Sequence, residues 1–415
     1  MKKLPAYTLG MGDRFGAEGD AQLEAVLQAR SEGIDIHPVW NKSNREHTLI
    51  GTLPQSLRDE ADAAVSRAGF KEPYFVDADH INLNTVDAFL SSSDFFTLDV
   101  ADYVNQSAGH DAEASFIADH EPYVGTLPLG SDAPALTLTR EELCGAARKF
   151  LLAIQKAGAI YRHIEENKGS QSFATEVSID ETDQAQTPGE LFCILAMLAR
   201  EKIPAQTVAP KFTGRFNKGV DYVGDPATFA REFDEDLYII RYGVRTFGLP
   251  DNLKLSIHSG SDKFSLYPMI NQMTKKHLCG LHVKTAGTTW LEEVIGLAEA
   301  GGQGLVLAKE IYRDSLAHWE DLVAPYRTVV DISRDRLPEA DEVERWDAEH
   351  FASTLRHDPS HPSFNPDIRQ LMHVGFKTAA KMGTRFTEAL QSHRPYIARN
   401  VSNNLLNRHI RPLFG

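Results

Sequence analysis

Residues 253–300 read LKLSIHSGSDKFSLYPMINQMTKKHLCGLHVKTAGTTWLEEVIGLAEA, and this stretch contains the unit from which most of the chain is built. Leu253 to Ile257 is a short apolar run, closed by small and polar residues that lead into a helical segment. Gly280 to Lys284 repeats the run, and from Thr289 to Ala300 apolar residues return at helical spacing. Strand, helix, strand in this order means parallel strands joined by crossover helices. Working outward, the same alternation predicts strands at Tyr7 to Gly10, Asp35 to Trp40, Tyr74 to Asp77, Phe95 to Val100, Phe173 to Ile179 and Gln206 to Pro210, which makes eight. The helices between them include Asp20 to Ser31, Arg140 to Glu166, Pro188 to Glu201 and Pro226 to Thr246, with Leu305 to Leu322 closing the last unit. Thr187-Pro188-Gly189-Glu190 and Asp225-Pro226 carry start signals, a capping side chain followed by proline at the first helical position. Eight such repeats predict an α/β fold, a (β/α)₈ barrel of the TIM type.

Two segments break the rhythm. Residues 100–139 form a polar insertion after the fourth strand, where barrels carry lids and substrate loops, and residues 335–415 form a charged, largely helical tail. Residues 1–334 are therefore read as the catalytic barrel, insertion included, and residues 335–415 as an extension packed on it.

With 42% hydrophobic and 24% charged residues among 415, the chain can bury a full core, which excludes disorder and fibre as the main state. The formal charge of −15, with lysines and arginines scattered, argues against a nucleic-acid surface. No run approaches the roughly 20 apolar residues of a membrane span, so a cytoplasmic enzyme without membrane partners is expected. The three cysteines, Cys144, Cys193 and Cys279, are too far apart in sequence for a CxxC metal or redox pair.

Side chains just past the strand ends of a barrel converge on one mouth. Here the third strand ends in Asp77-Ala78-Asp79-His80, the fourth in Asp99, and the fifth runs from Glu176 to Glu181; the sixth ends near Lys211, the seventh at His258 and the eighth in His282-Val283-Lys284. Imidazoles from three strands, His80, His258 and His282, and carboxylates from three strands suit one divalent cation, Mn, Co, Ni, Fe or Zn. Asp79 and Glu176 are candidates for a general acid and base pair. Arg14, Lys211 and Lys284 are candidates for holding a substrate carboxylate, and Ser261 lies in a small-residue turn, Ser259-Gly260-Ser261, that could present backbone amides to an anion, as could Thr285 to Thr289. Gly10 to Gly16 imitates a dinucleotide fingerprint, but its spacing is GxGxxxG and it places Asp13-Arg14 where a pyrophosphate would approach, so no nucleotide cofactor is expected.

Seven motifs, GMGDRFG at 10–16, DADH at 77–80, EVSIDET at 176–182, KGVDYVGD at 218–225, SIHSGSDKFSLYP at 256–268, HVKTAGTT at 282–289 and EIYR at 310–313, resemble the tagaturonate epimerase family in order and spacing, over about residues 7–380. The resemblance implies a metal-dependent isomerase of hexuronate catabolism that interconverts tagaturonate and fructuronate. It also implies that Asp79 is the proton acceptor, Glu176 the proton donor, and His80 and His258 metal ligands; His282 is added on geometry alone. Inversion would occur at carbon 4, by cleavage of the bond between carbons 3 and 4 and re-addition. A metal-dependent sugar-acid aldolase, or a 4-epimerase or isomerase of neutral ketohexoses, would use the same mouth. The expected partner is a small sugar acid, with a homo-oligomer as a possibility.

Overall fold

The structure is a computed structural model, and it describes residues 2–130, 132–180, 182, 184–285 and 287–415. Glu181, at the predicted end of the fifth strand, and Ala286, in the loop after the eighth, lie outside the described residues.

Eight parallel strands close into a barrel: β1 (Tyr7–Gly12), β2 (Ile36–Ser43), β3 (Phe75–Ile81), β4 (Phe95–Asp99), β5 (Ala174–Ser178), β6 (Thr207–Ala209), β7 (Lys254–His258) and β8 (Leu281–Thr285). Each pairs with its neighbours in chain order, and β8 returns to β1. Leu4, Val39, Phe75, Phe95 and Ala174 form a small apolar cluster of their own, while the main core lies between the strands and the helices. By strand alternation, the residues above that small cluster on the inner face are polar: Thr8, Asn41, Asp77, Thr97, Glu176 and Ser256.

The helices begin where the local chemistry prescribes. Ser43 and Glu46 form a capping box at α2 (Asn44–Ile50), which precedes α3 (Pro54–Ala68). Thr139 with Glu142 does the same at α5 (Arg140–Lys168), as does Thr187 with Glu190 at α6 (Pro188–Arg200), and Asp225 caps α7 (Pro226–Phe247). Neither α2 nor α3 is among the helices named from the sequence.

Among the described residues, the helix of the insertion lies away from the mouth. This helix, α4 (His110–His120), packs on α5, Asp119 bonds Arg200 at the end of α6, and His120 meets Phe247 at the end of α7. Helices of a barrel run back toward the strands' N-terminal face, so these contacts draw the insertion away from the mouth.

Beyond α8 (Tyr267–His277), α9 (Thr288–Glu299) and α10 (Gly302–Ala317), the chain continues in short helices that wrap α9 and α10. The buried carboxylate of Asp262, in the β7–α8 loop, fastens them: Arg369 donates to it at 2.6 Å and His357 lies 3.1 Å away, with His409 Nε2 at 3.4 Å. Trp290 of α9 donates to the Met372 carbonyl. Among the described residues no helix is long and apolar enough to cross a membrane.

Candidate active site

At the centre of the mouth lies one ammonium group. Lys284, on β8, sits 2.7 Å from Asp77 Oδ2, 2.9 Å from Asp79 Oδ1 and 2.8 Å from Glu176 Oε1, and also donates to Thr97. Gly10 on the neighbouring strand makes room for it: a Cβ there would stand 2.8 Å from Lys284 Cγ.

This arrangement decides the ionisation of the carboxylates. Burial alone would raise all three, yet Lys284, helped by His80 and His258, brings Asp79 down to about 2. Burial is likewise outweighed at Glu176, where Lys284 and His258 hold the carboxyl well below its ordinary range. Asp77, as fully buried as Glu176, goes the other way: burial raises it to about 7 against the pull of Lys284, and the charges of Asp79 and Glu176 add to the rise. Lys284 itself is kept protonated, since the three carboxylates outweigh its desolvation.

Beside this centre, His80, Asp180 and His258 each offer a ligand atom, all within 4.8 Å of one another. Strand alternation would send His80 to the face opposite Asp79. Instead β3 slips register against β4 between Ala78 and Ile81, and His80 takes φ +49°, a bulge that turns it inward. Asp99 then holds its Nδ1 at 3.2 Å. His258 presents Nε2 to Glu176 at 2.8 Å, while its buried Nδ1 lies 3.2 Å from Asp180 Oδ2 without the alignment of a hydrogen bond. Two imidazoles at 5.2 Å, a carboxylate within reach of both and outer carboxylates that orient both rings suit a divalent cation. Asp180 had not been singled out as a ligand, although its even spacing from Glu176 and Ser178 places it on the same face.

The structure separates His282 from this group. Lys284 is level with Gly10 and His258, whereas His282 pairs with Thr8 and Ser256, one layer deeper in the barrel. Its Nδ1 meets Thr8 Oγ1 at 2.8 Å and burial lowers it to about 3, so it is a neutral interior residue outside the group of three that lie close enough to share an ion. Three other candidates are engaged by the protein. Arg14 is buried, bonded to Glu46 and the His373 carbonyl and stacked on Phe376 at 3.9 Å. Lys211 donates to the Thr182 carbonyl. Ser261 accepts from Gly219 N at 2.9 Å and from Lys263 Nζ at 3.2 Å. In the glycine-rich loop after β1, the carboxylate of Asp13 accepts the amides of Phe15, Gly16, Ala17 and Glu18, filling the position a pyrophosphate would need.

The family model for tagaturonate epimerase, UxaE, matches residues 2–387. The chain belongs to the tagaturonate epimerase family. It is therefore an isomerase of the epimerase type. A tagaturonate/fructuronate epimerase of Thermotoga maritima is 28% identical over 423 residues, covering 98% of this chain and 81% of that relative. The crystal structure of a fructuronate-tagaturonate epimerase from Cohnella laeviribosi, complexed with two glycerols, superposes with a TM-score of 0.81 at 26% identity, over 98% of this chain and 81% of that one. A probable tagatose 6-phosphate kinase from Sinorhizobium meliloti, 11% identical, covers 98% of this chain and 100% of its own with a TM-score of 0.51, and so shares the fold alone.

Proposed function

We propose that the enzyme interconverts D-tagaturonate and D-fructuronate by inverting carbon 4, counted from the hydroxymethyl end, and that His80, Asp180 and His258 hold a divalent cation for the reaction. The observation that carries this reading is the shared ammonium of Lys284, which keeps Asp79 and Glu176 ionised in a buried mouth beside the cluster of His80, Asp180 and His258. When bound, the cation would draw negative charge onto the ketone oxygen of the substrate.

The hydrogen on carbon 4 is β to the ketone and is not acidified by enolisation, so direct exchange there is disfavoured. Asp79 instead takes the proton of the carbon 4 hydroxyl. The electrons of that O–H bond form the aldehyde, the bond between carbons 3 and 4 breaks, and its electrons pass into an enediolate over carbons 2 and 3. The aldehyde turns its other face, the carbon bond re-forms, and the proton returns to the new hydroxyl. Glu176 has one buried oxygen without a hydrogen bond, Oε2, and can relay a proton from Lys284 or from His258 Nε2, each 2.8 Å from its Oε1.

Turnover of D-tagaturonate in heavy water tests the reading. Fructuronate should form without solvent deuterium at carbon 4, and an aldehyde trap should capture a three-carbon acid fragment. Deuterium at carbon 4 would refute the cleavage route, and absence of fructuronate would refute the substrate. Net accumulation of fragments without epimer would favour an aldolase.

A further inference from the structure

We propose that Arg45, Lys218 and Lys377, gathered on the ring of Tyr326, form the subsite that binds the carboxylate of the sugar acid. This rests on the reading given under Proposed function and names the residues that would select an acid over a neutral ketose.

The three cations come from parts of the chain far apart in sequence, yet all stand over one buried ring, at 5.4, 5.4 and 4.8 Å from its centroid. The chain has 58 acidic and 43 basic residues, so carboxylate partners are abundant. Neither Arg45 nor Lys377 forms an ion pair with a described carboxylate. Lys377 is lowered by burial and then by Arg45 and Arg14, both positive. Arg45 at the exposed rim and Lys377, half-buried beside it, repel one another unless an anion joins them, and such a pair is a place where an anion binds.

The position suits the substrate. Ser43 lies opposite Asp79 in the β2–β3 register, and Arg45 follows two residues later. Lys218 adjoins Gly219, whose amide bonds Ser261, three residues beyond His258. Lys377 belongs to the extension, in which His373 packs on Gly287, three residues beyond Lys284. All three segments thus border the mouth. In the substrate the carboxylate is two bonds from carbon 4, so an anion subsite has to adjoin the strand that bears Asp79. The rival cations are already engaged: Lys284 by three carboxylates, Arg14 by Glu46. A guanidinium with two ammonium groups also matches a planar carboxylate.

The test uses Arg45→Gln, Lys377→Met and the double variant, each first compared with the parent by thermal unfolding. Arg45→Lys serves as the charge-conserving control. Two readouts are taken: KM and kcat for D-tagaturonate, and competitive inhibition by D-galactonate against the neutral polyol galactitol. The double variant should raise KM about 50-fold with kcat reduced no more than about fivefold, and the parent's preference for galactonate should collapse to within about twofold, since a charged hydrogen bond contributes roughly 10- to 100-fold. Arg45→Lys should recover most of the affinity. Retention of the galactonate preference in a double variant that unfolds like the parent would overturn the proposal, as would inorganic phosphate inhibiting the parent more strongly than galactonate. A parent that fails to epimerise any ketohexuronate would refute the proposed function instead, and the galactonate-to-galactitol ratio would still decide whether this cluster binds a carboxylate.

Discussion

The molecule buries two groups of carboxylates, and they behave in opposite ways. In the mouth, Asp79, Glu176 and Asp180 are all held below their ordinary range, because Lys284 and the imidazoles of His80 and His258 stand against them. Behind β1, where α1 (Gly19–Ser31), α3 and α9 meet, Glu18, Glu60 and Glu293 bury oxygens that form no hydrogen bond. Burial first and then the charge of Asp13 push all three upward, Glu18 to about 8, and Glu18 adds to the rise of Glu60 and Glu293. Depth is therefore not what separates a reactive carboxylate from a silent one. The balance of its neighbours does so: Asp79, Glu176 and Asp180 face imidazoles as well as or instead of Lys284 and stay ionised, whereas Asp77, which has Lys284 but is repelled by Asp79 and Glu176, rises to about 7 within the same mouth.

Lys284→Met should erase this contrast and have the largest effect. Without the ammonium, the mouth becomes a second set of crowded acids that take up protons. Turnover should fall more than about a thousandfold, and unfolding stability should drop by roughly 3–5 kcal/mol, as for other buried ion pairs broken on one side. Steady-state kinetics and denaturant unfolding measure the two; near-parental turnover would show that the contrast has no catalytic meaning. Metal removal sharpens the same comparison. Stripping with a chelator should lower activity about a hundredfold, with Mn, Co, Ni or Zn restoring it, and full activity in metal-free protein would contradict the assignment of His80, Asp180 and His258.

The smallest effect is expected in the rear group. Glu18 rises from 4.5 to about 8 on folding, so the folded chain binds a proton there that the unfolded chain releases. Its stabilising contribution is complete below about pH 4.5 and is lost as pH climbs toward about 8, at roughly 1.4 kcal/mol per unit. Glu18→Gln should therefore match the parent near pH 5 and melt about 3–5 °C higher near pH 8. Equal melting temperatures at both values would mean that this carboxyl is ionised and satisfied.

The strands were legible because each apolar run is followed by helical spacing, and parity then sorts Asp77, Asp79, Glu176 and Asp180 onto the inner face. Two features escape that logic. His80 faces inward only through a bulge with positive φ at a non-glycine residue, a local departure that no periodicity announces. His282 obeys parity yet lies a layer too deep, because alternation gives the face of a strand and says nothing of depth along the barrel axis. The fates of Arg14 and Ser261 depend on contacts with Glu46, His373 and Gly219, which only the folded chain brings near.

The clasp at Asp262 bears on how the enzyme is made. Arg369 follows Asp262 by 107 residues, so during translation the strands emerge well before the counter-ion that must neutralise them at this point. A product truncated before residue 369 would keep the Thr288 and His357 contacts to Asp262 but lose its guanidinium, and should open more often. The barrel strands close without the extension, β8 pairing with β1, and the extension then adds its guanidinium to a carboxylate already buried beside them.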